Sequence, residues 1–375
     1  MALPDAPRGS GAPRHKAREQ GREQGGRRRR LTGEPSTAYD LAMITPPLPP
    51  DAFAAYPDLE QLGRTATRLH PRPGAVTAAD SHVGGPLLWP ADEPWPTCGT
   101  PHMVREEVPI PVELVNRMRA AERGRRQPHV LAEGEVELHE EIAALVGPGF
   151  VGWGSRDGGP VVGFRYVPRP HPVPNPMVAL AQLRASDVPD LPRPGGADLL
   201  QVLWCPFEHS EGPWGPTVRL RWRREAELTD LLAEPPRGEV GVDRYVPRPC
   251  RLHPEQVVEY PHPEELPADL RALAAEDEDY VGTFLAPGWK VGGYADWSLT
   301  DLCPTPCPRC AGPTTLTLVV DSSERGAGRW QPTRADGAPD LDAYEPTGVV
   351  VGRHGALRVF VCLRCPDVPF LLDQQ

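Results

Sequence analysis

Two short stretches with a common pattern, Val83-Gly84-Gly85-Pro-Leu-Leu-Trp89 and Val291-Gly292-Gly293-Tyr-Ala-Asp-Trp297, decide the fold that we expect. Each begins with a Val-Gly-Gly turn and ends on a tryptophan. Glycine adopts the positive φ angles that tight turns between strands require. We therefore interpret the two stretches as corresponding points of two related halves of the chain.

The elements that follow the two turns occur in the same order, namely a cysteine, a strand, and a second strand that ends in a cysteine. In the first half these are Cys98, the run 176–183, and the run 200–204 followed by Cys205; in the second half they are Cys303 and Cys307, the run 313–320, and the run 357–361 followed by Cys362. Two copies of one ancestral unit would explain this order. The sequence thus predicts an internal duplication with pseudo-two-fold symmetry.

The local patterns favour an α+β fold with mostly antiparallel sheets. Residues 218–223 alternate between apolar side chains and arginines, which is typical of a half-buried strand rather than of a basic binding patch. Helices are predicted at 112–121, 138–146 and 268–274, the last directly after Pro267.

These patterns divide the chain into three segments. Residues 1–45 are rich in Arg and Pro and lack apolar periodicity, so we predict a disordered leader, upstream of an alternative start at Met43. Residues 46–250 form the predicted first half, with a helical insertion at about 103–170. Residues 251–375 form the predicted second half, which contains two Cys-x2-Cys pairs.

The two pairs, Cys307/Cys310 and Cys362/Cys365, predict a structural zinc site in the second half. Two residues between thiols allow one tight turn to direct both sulfurs at a single ion, and two such turns complete a tetrahedron. Zinc ribbons usually separate their pairs by about 12 to 20 residues, and here the separation is longer. Neighbouring strands at the two pairs would bring them together. Reduced thiols without metal and a redox centre are the alternatives.

The duplication suggests a second metal site in the first half. The corresponding places read Cys98-Gly-Thr-Pro-His102 and Cys205-Pro-Phe-Glu-His209, so a shared fold would bring Cys98, His102, Cys205 and His209 together as a set of two thiols and two imidazoles. Coincidence is the alternative, since a histidine four positions after a cysteine is a weak signal by itself. No catalytic residue can be named from spacing.

The composition limits the range of functions. The net charge of −11 disfavours binding to a phosphate backbone, although the leader is locally basic. The chain has no apolar run long enough to span a membrane and no secretory signal pattern, so we expect a cytoplasmic protein.

Several of these motifs resemble the YwqG-like family of bacterial proteins, which is built around a domain of unknown function. The likeness is carried by the segments 83–90 and 95–98, by 176–183, by 199–204, and by 290–297. It extends over roughly residues 75–375. The resemblance implies an α+β fold with internal pseudo-symmetry and an immunity or partner-binding role, and it implies no catalytic residues. The insertion and the segment 315–319, which lacks the family's usual Gln, depart from the pattern.

We therefore expect a zinc-stapled, non-enzymatic protein that binds a protein partner, with no cofactor other than structural zinc. One alternative is an enzyme that uses a groove between the halves, or the Cys98/His102/Cys205/His209 centre. The other is nucleic-acid binding through the basic N-terminal arm.

Overall fold

A computed structural model of the protein describes residues 45–125, 130–132, 134–155, 159–326, 328–334 and 337–375. The predicted leader, residues 1–45, lies outside these ranges except for Thr45, and so does Met43. Residues 41–375 form one compact unit, which contains both predicted halves. In the described part of the chain, no helix is long and apolar enough to cross a membrane.

The fold is α+β, and its sheets are mostly antiparallel. The helices are α1 (Val112–Arg123), α2 (Glu135–Val146), α3 (Ala268–Ala274) and α4 (Tyr280–Phe284). The strands are β1 (Arg64–Arg68), β2 (Arg72–Pro73), β3 (His82–Val83), β4 (Thr97–Cys98), β5 (His102–Pro109), β6 (Phe150–Gly154), β7 (Val162–Arg169), β8 (Asn175–Pro176), β9 (Val178–Arg184), β10 (Leu199–Trp204), β11 (Val218–Arg223), β12 (Cys250–Arg251), β13 (Glu255–Glu259), β14 (Lys290–Gly292), β15 (Thr315–Asp321), β16 (Ala356–Val361) and β17 (Phe370–Gln374).

The strands form two six-stranded sheets with the same arrangement. The first sheet has the order β2-β12-β3-β9-β10-β11, and the second has the order β13-β1-β14-β15-β16-β17. In the second sheet the last four strands are consecutive along the chain, and in the first sheet they keep their chain order but β4 to β8 with α1 and α2 lie between β3 and β9. Both Val-Gly-Gly turns stand at the third strand, β3 or β14.

The second strand of each sheet is distant in sequence from the strands on both sides of it. Strand β1 lies between β13 and β14 in the second sheet, whereas β12 lies between β2 and β3 in the first. Each of these strands is followed at once by a strand of the opposite sheet, and the crossing segment has the sequence Arg-Leu-His-Pro both times, at 68–71 and at 251–254. Strand β1 therefore joins a sheet whose other strands lie within residues 255–374, and β12 joins a sheet whose other strands lie within residues 72–223.

The strand registers of the two sheets also agree. Between β9 and β10, Gln182 lies opposite Gln201 and Ala181 opposite Val202, and then the register shifts. The register between β15 and β16 has the same shift, and its corresponding pairs are Val319 with Arg358 and Leu318 with Val359. A β-bulge inserts one residue and bends the strand. We use this register to define matched positions, such as Gln182 and Val319.

A separate three-stranded sheet, in the order β5-β7-β6, occupies the region that the sequence predicts as an insertion. Helices α1 and α2 pack on it and form a core of their own around Met118 and Ile142. The predicted helices are present there, but the region also contains three strands. Because His102 pairs with Arg169, this region enters and leaves the first half at one place.

The main core lies between the two large sheets and includes side chains from both halves, such as Val202, Trp204, Trp289 and Val359. A second core joins the segment 48–62 to α3 and α4. The predicted helix 268–274 has these bounds in the structure, whereas α4 was not predicted.

A buried ion pair lies beneath the second Val-Gly-Gly turn. Both carboxylate oxygens of Glu259 accept hydrogen bonds from Lys290 Nζ, at 2.8 and 2.7 Å, and the backbone N–H of Tyr294 donates to Oε1 at 2.6 Å. Gly293 has a φ of +71°, and a Cβ there would lie 1.7 Å from Glu259 Oε1. This glycine is therefore required by the close approach of the carboxylate.

Candidate metal centres and an adjacent groove

The structure brings the four predicted side chains of the first half together. Strand β4 ends at Cys98 and β5 begins at His102, while Cys205 directly follows β10. The fourth residue, His209, lies in a short bridge with Gly215. One ligand atom from each of the four lies within 4.8 Å of the others, and all four residues are buried.

The four predicted cysteines of the second half also converge. Cys307 and Cys310 stand in the turn before β15, and Cys362 directly follows β16. With Cys365 they form a set whose sulfurs lie within 4.8 Å of one another. The pairs of cysteines therefore meet at the ends of neighbouring strands, as the sequence predicts.

The distances between donor atoms suit tetrahedral coordination. A Zn–S bond of about 2.3 Å places two thiolate sulfurs about 3.8 Å apart, and a sulfur and a histidine nitrogen about 3.6 Å apart. The observed sulfur separations are 3.8 Å for Cys310–Cys362 and 4.0 Å for Cys307–Cys365. They are far longer than a disulfide bond of about 2.05 Å. Either cluster could hold a metal ion.

In the first cluster, the two sulfur-to-nitrogen distances indicate which histidine atoms face the centre. Nε2 of His209 lies 3.7 Å from Cys98 Sγ, and Nε2 of His102 lies 3.4 Å from Cys205 Sγ. Nδ1 of His209 is 3.1 Å from Thr100 Oγ1, so this hydroxyl orients the ring. Such contacts to the distal nitrogen fix the tautomer of a metal-binding histidine.

The electrostatics favour a thiolate at one cysteine of each cluster, Cys98 and Cys307, whereas the pKa of Cys205 is raised and burial raises the pKa of Cys365. A hydrogen bond to Cys205 is the main reason that the pKa of Cys98 falls to about 2, and the same bond raises the pKa of Cys205. Burial lowers the pKa of His102 and favours the neutral imidazole. In the second cluster, burial acts to raise the pKa of Cys307, but backbone N–H groups of Cys310 and Arg309 lower it to about 7.

Two residues around the first cluster were not predicted. Phe207 stacks on the ring of His102, with ring centroids 3.9 Å apart and planes 13° apart. Thr100 contacts Cys98 Sγ at 3.2 Å as well as His209. Both residues lie inside the Cys-x3-His segments. The repeated spacing therefore indicates that they are near the cluster, but it does not indicate which ligand each one contacts.

The remaining cysteines lie outside both clusters. Cys303 is exposed, and the structure does not place it among the four sulfurs of the second cluster. Cys250 is buried on β12, and its thiol donates to Pro346 O at 3.4 Å. The arginines of β11 are largely engaged within the protein, since Arg221 and Arg223 both pair with Glu93.

A groove of about 810 Å³ opens beside the second cluster. Its walls are the start of β1, the end of β14 and the start of β15. Strand β14 pairs with β15 at one position, Lys290 opposite Val319, so the two strands diverge beyond it. The lining residues are Gly63, Arg64, Thr65, Asp190, Glu265, Gly292, Gly293, Tyr294, Ala295, Thr305, Thr314, Thr315, Leu316 and Phe360.

In comparisons with known proteins, no protein-family model matches this chain and no curated protein matches it. The function must therefore be argued from the clusters, the groove and the strand arrangement.

Proposed function

We propose that both clusters bind Zn²⁺ and that the two ions are structural. The observation that carries this proposal is that each site has four protein donors, all Cys or His, at tetrahedral separations. Four protein ligands leave no position for water or substrate, so hydrolytic chemistry at either ion is disfavoured. Each ion would join two strand ends that are distant in sequence.

Elemental analysis of the purified protein tests this proposal. We expect two zinc ions per chain, and X-ray absorption at the zinc edge should fit an average of three sulfurs and one nitrogen. Replacing Cys307 by Ser should remove one zinc, and replacing Cys98 by Ser should remove the other. A protein that is folded with no bound metal would contradict the proposal.

We also propose that the two halves arose by duplication, with pseudo-two-fold symmetry. The equal strand order, the distant second strand of each sheet and the common register shift support this. β-Bulges are designed features that are retained within families. The expected membership of the YwqG-like family remains a proposal of the same kind, supported by the position of both Val-Gly-Gly turns at the third strand of their sheets.

We infer that the protein is a cytoplasmic, non-enzymatic module that binds a protein partner, with an immunity-like role as the resemblance suggests. Metal sites without an open position support a structural rather than a catalytic use of zinc. The net charge of −11 suits a basic partner, because complementary charge accelerates association.

Affinity capture with immobilised full-length protein, followed by titration of the purified candidate, tests the binding role. We expect a saturable, salt-sensitive complex that protein stripped of zinc does not form. Failure to retain any macromolecule, combined with turnover of a metabolite by the purified protein, would instead establish an enzyme.

The second candidate function is an enzyme. The groove supports this candidate, because the groove is concave and is lined by Arg64, Asp190 and Glu265. An enzymatic use of the Cys98/His102/Cys205/His209 centre is less favoured, since all four side chains are buried. The basic arm proposed for nucleic-acid binding lies outside the described residues.

A further inference from the structure

The groove beside the second cluster has a counterpart in the first half that is filled by a tryptophan. Cys98 pairs with Asn175, and the matching contact in the second half joins the N–H of Cys307 to Gly312 O at 2.8 Å. Two positions further along, Met177 N donates to Pro96 O at 2.9 Å.

The corresponding contact in the second half runs from Thr314 Oγ1 to Thr305 O, at 2.5 Å. Thr314 matches Met177 by strand register, so Thr305 matches Pro96. The residue before Pro96 is Trp95, and the residue before Thr305 is Pro304. The second half therefore lacks the indole ring that the first half has at this place.

The neighbours of Trp95 match the walls of the groove. In the first half Trp95 packs in a cluster with Leu87, Met177, Ala179 and Leu203. The matched residues in the second half are Ala295, Thr314, Leu316 and Phe360, and all four line the groove. Four of the residues that line the groove thus match residues of the cluster in which Trp95 packs.

The contacts of the Trp95 side chain indicate which kind of ligand would fit the corresponding place in the second half. Its indole N–H donates to Met177 O at 2.8 Å, while the ring lies 5.0 Å from the ring of Trp89. In the second half, the carbonyl of Thr314 stands at the matched position, and Trp297 matches Trp89. Trp297 stacks on Phe360, which provides an aromatic wall.

We propose that the groove is a binding site for a planar aromatic ring with an N–H donor, of the indole type. The ring would lie against the accessible edges of Leu316, Ala295 and Phe360, and its N–H would donate to Thr314 O as the N–H of Trp95 does to Met177 O. Ala295 and Thr314 are smaller than their counterparts Leu87 and Met177, whereas Leu316 and Phe360 are larger than theirs. Arg64, which stacks on Tyr294 with 4.2 Å between the guanidinium carbon and the ring centre, lies at the rim.

Ligand-observed NMR with the full-length protein tests this site, because the protein's own tryptophans would obscure a fluorescence signal. Indole is the first probe, and 1-methylindole, which has the same ring without the donor, is its matched control. We expect indole to bind and 1-methylindole to bind about tenfold more weakly, which is the effect of losing one buried hydrogen bond. Free tryptophan and the peptide Gly-Trp-Gly then distinguish a small metabolite from a side chain of a partner as the source of the ring.

Two variants fill the groove from within. Pro304→Trp restores the ring found in the first half and should abolish indole binding, while Ala295→Leu restores the matched leucine and should weaken it by about tenfold. Pro235→Trp, at an exposed position, is the control and should leave binding unchanged. Circular dichroism tests whether each variant is folded. If Pro304→Trp does not fold, Ala295→Leu alone tests the groove.

The inference fails if indole does not bind the folded wild-type protein, or if both folded groove variants bind it as the wild type does. It also fails if 1-methylindole binds as tightly as indole, because the hydrogen bond to Thr314 O would then have no role. Zinc content is measured on the same samples, so that loss of a metal is not mistaken for loss of the groove.

Discussion

The two candidate metal centres stand at the same strand ends of two similar sheets, yet their surroundings differ. The mixed cysteine and histidine set is enclosed, with Cys205 inaccessible to solvent and His102 stacked on Phe207. The all-cysteine set lies at the surface, where Cys310 is exposed and Cys365 is partly exposed. The His102 ring has a flat aromatic neighbour, whereas Cys307 Sγ accepts the N–H groups of Arg309 and Cys310 in its own turn. The same framework therefore supports one internal and one peripheral site.

The largest expected effect comes from removing a ligand of the enclosed site. Cys205→Ser should lower the free energy of unfolding by about 4 kcal/mol or more, because zinc binding contributes directly to folding and a buried site cannot recruit water easily. Cys310→Ser should cost about half as much. Urea unfolding with parallel zinc analysis measures both.

Cys303→Ser is the control for these variants, since Cys303 is exposed and lies outside the clusters. It should change the free energy of unfolding by less than about 0.5 kcal/mol. Equal losses for Cys205→Ser and Cys310→Ser would remove the distinction between an internal and a peripheral site.

The second prediction concerns two glycines with positive φ, Gly293 in the second Val-Gly-Gly turn and Gly195 before β10. Gly293→Ala should destabilise the protein by about 3 kcal/mol, because the new Cβ would displace the carboxylate of Glu259 from its buried pair with Lys290. Gly195 also has a positive φ, of +61°, but a Cβ there meets no atom within 4 Å. Gly195→Ala should therefore cost about 1 kcal/mol. Thermal unfolding measures the stability of both variants. A larger loss of stability for Gly195→Ala than for Gly293→Ala would contradict this prediction.

The third prediction uses a matched position at which the halves carry opposite charge, Arg184 on β9 and Asp321 on β15. Burial raises the pKa of Asp321 to about 6, although N–H groups of Gly288 and Ser323 donate to it. The folded state thus favours the protonated acid, whose pKa in the unfolded chain is about 3.9. The favourable contribution is complete below about pH 4 and is lost as the pH rises through 6.

Wild-type protein should therefore lose about 2 kcal/mol more than Asp321→Asn between pH 4.5 and 7. Chemical unfolding of both proteins at each pH measures this difference, in which the titration of the zinc ligands cancels because both proteins share it. Parallel pH profiles for the two proteins would show that Asp321 does not titrate in this range.

The smallest expected effect is that of Arg221→Ala on β11, for which Arg223→Ala is the matched comparison with a larger effect. The Arg221 side chain is 39% exposed and its Nε lies 3.4 Å from Glu93, so Arg221→Ala should cost about 0.5 kcal/mol or less. Arg223 is more buried, donates to Gln201 Oε1 and lies over the Trp89 ring, so Arg223→Ala should cost about 2 kcal/mol. In gel-shift assays at several salt concentrations, neither variant should weaken binding to nucleic acid.

The sequence predicted those parts of the site that have local signals. The spacings Cys-x2-Cys and Cys-x3-His identify both donor sets because each pair lies within one turn of chain. The roles of Thr100 and Phe207 could not be predicted, since they depend on contacts with His209 and His102 from distant segments. The sequence suggested a groove between the halves but not which residues line it, because an empty space has no residue pattern.

The placement of β1 and β12 in the sheets was missed although a signal was present. The four residues Arg-Leu-His-Pro occur twice, at 68–71 and 251–254, and both occurrences lie where the chain crosses from one sheet to the other. Strands β2 and β12 have two residues each, too few for alternation to be visible. Strands β1 and β14 pair although roughly 220 residues separate them along the chain, and no local sequence pattern can indicate such a pairing.

The place of strand β1 in the second sheet has a consequence for synthesis on the ribosome. Its partner β14 is encoded roughly 220 residues later, so at about 5 to 20 residues per second the emerging chain waits on the order of 10 to 45 s before that pairing can form. For most of this interval the first sheet also lacks β12. A nascent chain of this kind would depend on chaperones until its last quarter leaves the exit tunnel.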